Sequence, residues 1–330
     1  MTSMAPSDEW ALVRRRVGLL DRRDCGVLEL TGRDRATFLH ALLSNEIKAL
    51  GPGQGCAATL LDVHGKVQAV LFVWVADDRI FVVTPPAMAE KVAEALDHYL
   101  FAEKVAIRDI SPETALFVLA GPDARSTIER LAGASPPEKP WSHVAARLGE
   151  TPVRLVSGGG ETGEAEVWIM CALGDASAVS DAIVRGAGVG LVGAEAFEAL
   201  RIEAGTPLFG RDVDDTVLLP EIPSESLLSH TKGCYPGQEV VVRIRDRGHV
   251  NRTLRGLVLE GGDVPPAGAE VVLDDADIGK VTSAAWSVGL ERPIALAFLR
   301  RQHAEPGTRV SVRYDGHVTA ASVSALPFTR

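Results

Sequence analysis

The stretch TKGCYPGQEVVVRIRDRG (Thr231–Gly248) lies where the sequence changes character. Upstream of it, apolar residues alternate between strand-like and helix-like spacing. From about residue 250 onward only short β runs remain, separated by Gly, Pro and Asp turns. The two patterns predict an α+β body over residues 1–245 and a small antiparallel β-barrel over residues 246–330.

Within the body, groups of strands alternate with amphipathic helices. The helix DRATFLHALLS (34–44) has Asp34 at the position that caps it. The Pro-rich run ASPPEKP (134–140) is interpreted as a break between two α+β subdomains. The other expected elements are three strands within 57–84, a helix at 87–100, a strand and helix over 115–133, strands near 152–157 and 165–171, and helices near 175–187 and 193–204.

Composition and charge exclude several classes of protein. At 330 residues, with 46% hydrophobic and 24% charged residues, the chain is expected to form two or three packing units. The net charge of -10 argues against general nucleic-acid binding, which requires a basic surface. No apolar run reaches the roughly 18 residues of a membrane span, and the start MTSMAPSDEWALVRRR lacks the pattern of a secretory signal.

The cysteines indicate a reducing compartment. The chain has four of them, Cys25, Cys56, Cys171 and Cys234, without any C-x-x-C pair. This spacing predicts reduced thiols in a cytoplasmic protein and gives no signature of an iron-sulfur cluster held by local thiolates. Asp212, Asp214 and Asp215 lack the later Glu ligand of a calcium loop, so no metal site is predicted.

The segment around Cys234 is unusual for a chain with so few cysteines. Tyr235-Pro236-Gly237-Gln238 fits a type II turn, in which Pro fixes the second position and Gly takes the positive φ of the third. Lys232 is close enough in sequence to favour the thiolate of Cys234 by charge attraction. The alternative is that Cys234 is a small buried hydrophobe, as free cysteines usually are.

Two other features suggest binding. Arg243, Arg245 and Arg247 alternate along a predicted strand, so they would form one positive face for carboxylates or phosphates. The alternative is a solvated face, or ion pairs with the aspartates of the preceding loop. That loop lies within RIEAGTPLFGRDVDDTVLLPE (201–221), and a loop this long in a compact domain is usually functional.

Three segments together carry a family resemblance: KGCYPGQE (232–239), RIEAGTPLFGRDVDDTVLLPE (201–221) and FLHALLSNEI (38–47). In these the chain resembles the YgfZ-type folate-binding proteins, which are linked to iron-sulfur cluster assembly or repair and are relatives of the glycine-cleavage T protein, an aminomethyltransferase. The resemblance implies a ring of two interleaved α+β subdomains and a barrel, with tetrahydrofolate, or a one-carbon or polyglutamylated derivative, in the central hole. It also implies iron-sulfur proteins or assembly factors as partners.

The resemblance implies roles for particular residues. Cys234 would be the essential reactive thiol, assisted by Lys232. Glu164, in a Thr-Gly-Glu context, would hold the aminopyrimidine edge of the pterin, with Glu161 and Glu166 as alternatives. The other residues expected to bind folate are Arg201, Gly233, Tyr235, Gly237, Gln238, Glu239 and Arg245.

One departure from the T protein concerns its chemistry. Ala69 and Val70 stand where the T protein carries aspartates that assist transfer of the methylene group. Since apolar groups cannot hold or transfer a proton, ordinary aminomethyltransferase activity is not expected. The sequence therefore predicts a tetrahydrofolate-binding protein that supports iron-sulfur cluster assembly or repair. The alternatives are a folate-dependent aminomethyltransferase or demethylase-like enzyme with another base, and a binding scaffold whose cysteine only packs.

Overall fold

The computed structural model describes residues 4–328, so the outermost residues of the two predicted domains lie outside the described part. The helices are α1 (Pro6–Arg15), α2 (Arg35–Leu42), α3 (Ala89–Asp97), α4 (Ala124–Ala132), α5 (Ala176–Ala187), α6 (Ala194–Glu203) and α7 (Gln238–Arg247). The strands of the body are β1 (Gly18–Asp21), β2 (Cys25–Thr31), β3 (Gln54–Leu61), β4 (Val67–Val75), β5 (Arg79–Pro86), β6 (Ala106–Asp109), β7 (Thr114–Ala120), β8 (His143–Leu148), β9 (Thr151–Ser157), β10 (Glu166–Ala172) and β11 (Gly190–Leu191). Those of the barrel are β12 (Arg252–Leu259), β13 (Glu270–Leu273), β14 (Ala276–Ser287), β15 (Arg292–Arg300), β16 (Arg309–Tyr314) and β17 (His317–Ser324).

The body contains two sheets that are interleaved along the chain, which confirms the predicted α+β class. One sheet has six strands in the order β11-β1-β7-β10-β9-β8, and the other has five in the order β3-β4-β5-β2-β6. The chain leaves the six-stranded sheet after β1, builds the whole five-stranded sheet, and returns at β7. The run 134–140 connects α4 to β8, both on the six-stranded side, so the passages between the subdomains are the short links on either side of β2–β6 instead.

The two sheets face each other and form four layers with the helices. The core between the sheets contains Trp74 of β4 and Trp168 of β10, both fully buried. The outer face of the six-stranded sheet packs against α4 and α5, and that of the five-stranded sheet against α2 and α3. Burial of each of these apolar side chains contributes about 1.5–3 kcal/mol to the stability of the fold. The cores therefore hold the two sheets and their helices in fixed relative positions.

The barrel is closed, with the strand order β12-β15-β14-β13-β16-β17, and every neighbouring pair is antiparallel. This confirms the barrel predicted from the loss of helical spacing. A separate apolar core joins it to the body, in which Ile202 of α6 and Tyr235 pack with Leu254 and Phe298 of the barrel. No helix within residues 4–328 is long and apolar enough to cross a membrane.

Two local predictions were wrong. The arginine-bearing segment is not a strand but the helix α7, which begins after Gly237 (φ 77°). Val240, Val241 and Ile244 form an inward helical face, with Val241 buried, and the last turn carries arginines that suit the helix dipole. Asp34 precedes α2, but its carboxylate accepts the N–H of Lys104 at 2.7 Å and does not cap the helix.

Candidate functional site

A cavity of about 640 Å³ lies between the five-stranded sheet, the β9–β10 loop and α6, a volume typical of sites for small organic ligands. Strand β4, the β1–β2 turn, the β9–β10 loop, the start of α6 and the loop that follows α6 all contribute to it. The lining residues are Arg22, Asp24, Cys25, Val70, Phe72, Thr84, Pro85, Pro86, Glu161, Ala194, Glu195, Phe197, Glu198, Pro207, Leu208, Phe209, Gly210 and Arg211.

Arg22 is the central polar group of this cavity. Its guanidinium is buried between the rings of Trp168 and Phe197, with Cζ 5.2 Å and 5.1 Å from their centroids. Nη1 donates to Oε2 of Glu161 at 2.7 Å, and Nη2 donates to Sγ of Cys25 at 3.2 Å. The buried Nε has no hydrogen-bond partner within the described residues. It lies 3.6 Å from Oδ1 of Asp24, close enough for an ion pair.

The carboxylate of Glu161 and apolar side chains such as Phe72 line the same cavity. Glu161, whose side chain is only 13% exposed, is paired with Arg22 at the cavity surface. Phe72 stacks on Trp141 with centroids 4.0 Å apart, so the ring that lines the cavity is held in place from behind. Burial raises the pKa of the Cys25 thiol to about 12, so this thiol is neutral near pH 7. The arrangement suits a flat, polar-edged ligand.

Strand β4 supplies no carboxylate to the cavity. Val70 lines it beside Phe72, whereas Ala69 is fully buried on the opposite face of the sheet, among side chains that pack against α2 and α3. Of the two positions that the resemblance places at the T-protein aspartates, only Val70 therefore faces the cavity, and it presents an isopropyl group.

The three candidate glutamates of the β9–β10 loop have different surroundings. Only Glu161 lines the cavity. Glu164 is paired with the buried Arg14 of α1, with Oε1 and Nη1 2.9 Å apart. Glu166 is buried within the loop, and its carboxylate accepts two hydrogen bonds from Thr162. Burial raises the pKa of Glu166 to about 7, assisted by the charge of Glu161.

Arg201, which is expected to bind folate, does not line the cavity. Its side chain is completely buried, and Nη1 donates to Oδ2 of Asp212 at 2.6 Å. Nη2 donates to Ser283 of the barrel at 2.6 Å and also contacts Glu198. Arg201 therefore links α6, the loop that follows it, and the barrel.

Cys234 lies at a different place, near the outer edge of the five-stranded sheet. The residues that precede Cys234 pass beside the edge strand β3 and the segment before it in the chain. There Ser229 donates its N–H to the carbonyl of Ser44 at 3.0 Å. Cys234 is exposed, whereas Cys25 and Cys171 are buried and Cys56 is half-buried. No residue from Thr231 to Glu239 is among the described residues that line the cavity, so the structure does not place this thiol at the ligand pocket.

Lys232 is directed away from solvent. Its buried ammonium donates to the backbone carbonyls of His40 and Leu43 at the C-terminal end of α2, and it lies 5.0 Å from the centroid of the Tyr235 ring. Burial lowers the pKa of Lys232 to about 8. Since cations stabilise helix C-termini, Lys232 attaches the segment that contains Cys234 to the end of α2.

The other predicted site residues also lie around this edge. The turn is as expected: Gln238 donates its N–H to the Tyr235 carbonyl at 3.2 Å. A Cβ on Gly237 would stand 2.5 Å from the Asp62 carbonyl oxygen, so only glycine fits there. A Cβ on Gly233 would make only ordinary contacts. Tyr235 is buried, Glu239 lies in the first turn of α7, and Arg245 is paired with Asp246 on its exposed side.

Sequence reasoning missed the residues that define the cavity, above all Arg22, Phe72 and Phe197. The available signal was weak: DRRDC (21–25) is a charged run between two apolar strands. Its role depends on contacts with Glu161, Trp168 and Phe197, which are distant in the sequence. The described residues contain no group of three or more His, Cys, Asp or Glu side chains that could hold a metal ion.

Comparisons with known proteins cover almost the whole chain. Residues 2–224 match the model of the GCVT N-terminal domain, and residues 252–329 match that of the glycine cleavage T-protein C-terminal barrel domain. The chain is 30% identical over 332 residues to an aminomethyltransferase of Streptomyces avermitilis, covering 98% of this chain and 89% of that protein. It is 27% identical over 314 residues to a putative chloroplastic transferase of Arabidopsis thaliana, covering 94% of this chain and 71% of that protein.

A solved structure has the same fold. The aminomethyltransferase T of the glycine cleavage system of Bartonella henselae superposes with a TM-score of 0.89, covering 98% of this chain and 90% of that one. The sequence identity is 22%, so this likeness establishes the architecture alone.

Proposed function

Because this chain belongs to the glycine cleavage T-protein family, we propose that it binds a reduced folate of the tetrahydrofolate type in the cavity on the five-stranded sheet and uses it in one-carbon transfer. The observation that carries the proposal is the buried Arg22–Glu161 pair at the cavity surface. It supplies a carboxylate and a guanidinium to the same small space.

The residues present fit such a ligand. The carboxylate of Glu161 can accept two hydrogen bonds from the aminopyrimidine edge of a pterin, and the guanidinium of Arg22 offers positive charge beside it. Phe72 and Phe197 provide apolar walls for the ring. Arg211, more than half exposed at the cavity edge, is suited to the carboxylates of the glutamate tail. The global charge of -10 opposes an anionic ligand, so these local cations matter.

The bound folate would carry the one-carbon unit, and this chain would position it and manage protons. Val70 cannot hold a proton, so β4 supplies no base. Four carboxylates line the cavity, those of Asp24, Glu161, Glu195 and Glu198. Glu161 has the least exposed side chain of the four, and Arg22 holds its orientation. The loop Pro207–Arg211 and the start of α6 cover the ligand from one side and reduce the access of water. Glu161 is therefore the residue proposed to exchange protons in this family member.

Calorimetric titration with tetrahydrofolate tests the binding. Glu161→Gln should weaken affinity by tenfold or more, about 1.4 kcal/mol, because a carboxamide both loses charge and presents a donor to Arg22. Glu164→Gln discriminates between the two carboxylates, since Glu164 pairs with Arg14 and does not line the cavity. Glu150→Gln, at a fully exposed hairpin position, is the neutral control. A larger loss in Glu164→Gln than in Glu161→Gln would reassign the pterin-binding carboxylate.

The reaction has its own test. Formation of methylene-tetrahydrofolate should be measured with aminomethyl donors and with sarcosine. Turnover that depends on Glu161 supports one-carbon transfer. Tight folate binding without turnover from any donor would remove the transferase part of the proposal and leave folate binding intact.

A second candidate function rests on Cys234, the only exposed cysteine among the described residues. The matched models describe the T-protein family as a whole, and the narrower YgfZ-type assignment rests on the KGCYPGQE motif (232–239). In this second proposal the folate-loaded protein supports iron-sulfur cluster assembly or repair, with client proteins approaching the outer edge of the sheet. Cys234→Ala should then fail to restore iron-sulfur enzyme activity in a deletion strain, whereas Cys56→Ala should restore it. Full rescue by Cys234→Ala would exclude the thiol from the function.

A further inference from the structure

The β9–β10 loop, residues 158–165, is folded around the side chain of Glu166. The carboxylate accepts the N–H of Thr162 at 2.8 Å, the hydroxyl of Thr162 at 2.9 Å and the N–H of Gly160 at 3.1 Å. Glu166 is itself the first residue of β10, where its carbonyl accepts the N–H of Gly158 at 2.9 Å. One rigid strand residue thus fixes the loop at several points.

The loop packs closely against the side chain of Glu166, and only glycine fits at position 158. A Cβ on Gly158 would stand 2.5 Å from the Cβ of Glu166 and 2.7 Å from its Oε2. Gly160 and Gly163 have φ of 83° and 78°, and the N–H of Gly163 donates to the carbonyl of Gly160 at 2.9 Å. The resulting turn has Glu161 as its second residue, and the side chain of Glu161 reaches Arg22 from there.

We propose that Glu166 is a positioning residue: its buried carboxylate holds the turn 160–163 in the conformation that presents Glu161 to Arg22 and to the cavity. The inference rests on the proposed role of Glu161 as the ligand-binding carboxylate. Glu166 does not line the cavity and acts through the backbone of the loop and the hydroxyl of Thr162. A glutamine at 166 would keep one carbonyl acceptor but would turn an NH₂ group toward an N–H donor of the loop.

A readout that needs no ligand tests the positioning directly. Hydrogen exchange of the amides of Gly160 and Thr162 should be at least about tenfold faster in Glu166→Gln than in the wild type, because their acceptor is weakened. The adjacent β10 amides should stay protected, since the strand pairs with β7 and β9 on both sides. Glu150→Gln should exchange like the wild type. Unchanged protection at Gly160 and Thr162 in Glu166→Gln would overturn the inference.

A double-mutant cycle with tetrahydrofolate tests the functional part. Glu166→Gln should weaken binding severalfold in the wild-type background and have little further effect when Glu161→Gln is already present. Equal losses in both backgrounds would show that Glu166 acts independently of Glu161 and would overturn the inference. Absence of binding by the wild type would instead contradict the proposed function, while hydrogen exchange would still decide whether Glu166 holds the turn.

Discussion

Replacing Asp212 by alanine should destabilise the protein strongly, because Asp212 is half of a completely buried ion pair. Its Oδ2 accepts from Nη1 of Arg201 at 2.6 Å and from the N–H of Leu208 at 3.0 Å. Its Oδ1 accepts from Thr282 of the barrel at 2.5 Å. The variant leaves the guanidinium of Arg201 buried with only Glu198 as a counter-charge.

The size of the effect follows from these contacts. Breaking a buried ion pair from one side costs about 3–5 kcal/mol, and the remaining contact with Glu198 places Asp212→Ala near the lower limit, about 3 kcal/mol. The loss also frees the N–H of Leu208, so the loop that covers the cavity should loosen and folate affinity should fall as well.

Urea denaturation followed by tryptophan fluorescence measures this change. Asp215→Ala is the matched control, since Asp215 is exposed on the same loop, and its effect should stay within about 0.5 kcal/mol. The double variant Arg201→Met/Asp212→Leu should recover much of the lost stability, because no buried charge remains unpaired. If Asp212→Ala were no more destabilising than Asp215→Ala, the ion pair would not hold this loop.

Three further predictions concern titration, anchoring and thiol exposure. As pH rises from about 5 to 7, the wild type should lose about 2 kcal/mol of unfolding free energy relative to Glu166→Gln. The reason is that burial raises the pKa of Glu166 from 4.5 to about 7, so the unfolded chain ionises first. Parallel pH profiles of the two proteins would contradict this. Lys232→Met should lower the unfolding free energy by about 1–3 kcal/mol, because the carbonyls of His40 and Leu43 would lose their donor. An unchanged midpoint of urea unfolding would show that Lys232 does not anchor its segment to α2. Iodoacetamide near neutral pH should label Cys234 first, because burial raises the pKa of Cys25 and Cys56 to about 12 and of Cys171 to about 11. Bound folate should not slow the labelling of Cys234, and peptide mass spectrometry that showed protection there would contradict the cavity assignment.

Local pattern predicted most of the architecture and little of the site. Strands such as β4 and the barrel strands were predictable, because their alternation and turn residues are local signals. The helix α7 was mistaken for a strand, since Val240–Val242 favour a strand and the alternating arginines fit both periods. Its helical state depends on Val241 packing into the core between body and barrel.

The site residues depend on contacts between distant segments. Arg22 is a ligand-binding candidate only because the fold brings Glu161 and the ring of Trp168, both distant in the sequence, into contact with it. Arg201 looked available in the sequence, but Asp212 and Ser283 bury it. Among the three glutamates of the β9–β10 loop, the sequence could not decide which faces the cavity, because the turn at Gly160–Gly163 sets their directions.

The central claim is that the folate lies in the cavity lined by Arg22, Val70 and Glu161, and a cavity-filling variant tests it most directly. Val70→Trp places a large ring in the cavity from the middle of β4 and leaves the side chains of Arg22 and Glu161 in the sequence. Its affinity for tetrahydrofolate should be measured by calorimetry, with thermal unfolding to verify that the fold is retained. A folded Val70→Trp protein with no measurable tetrahydrofolate binding is the predicted result. Wild-type affinity in that variant would show that the ligand binds elsewhere and would contradict the account.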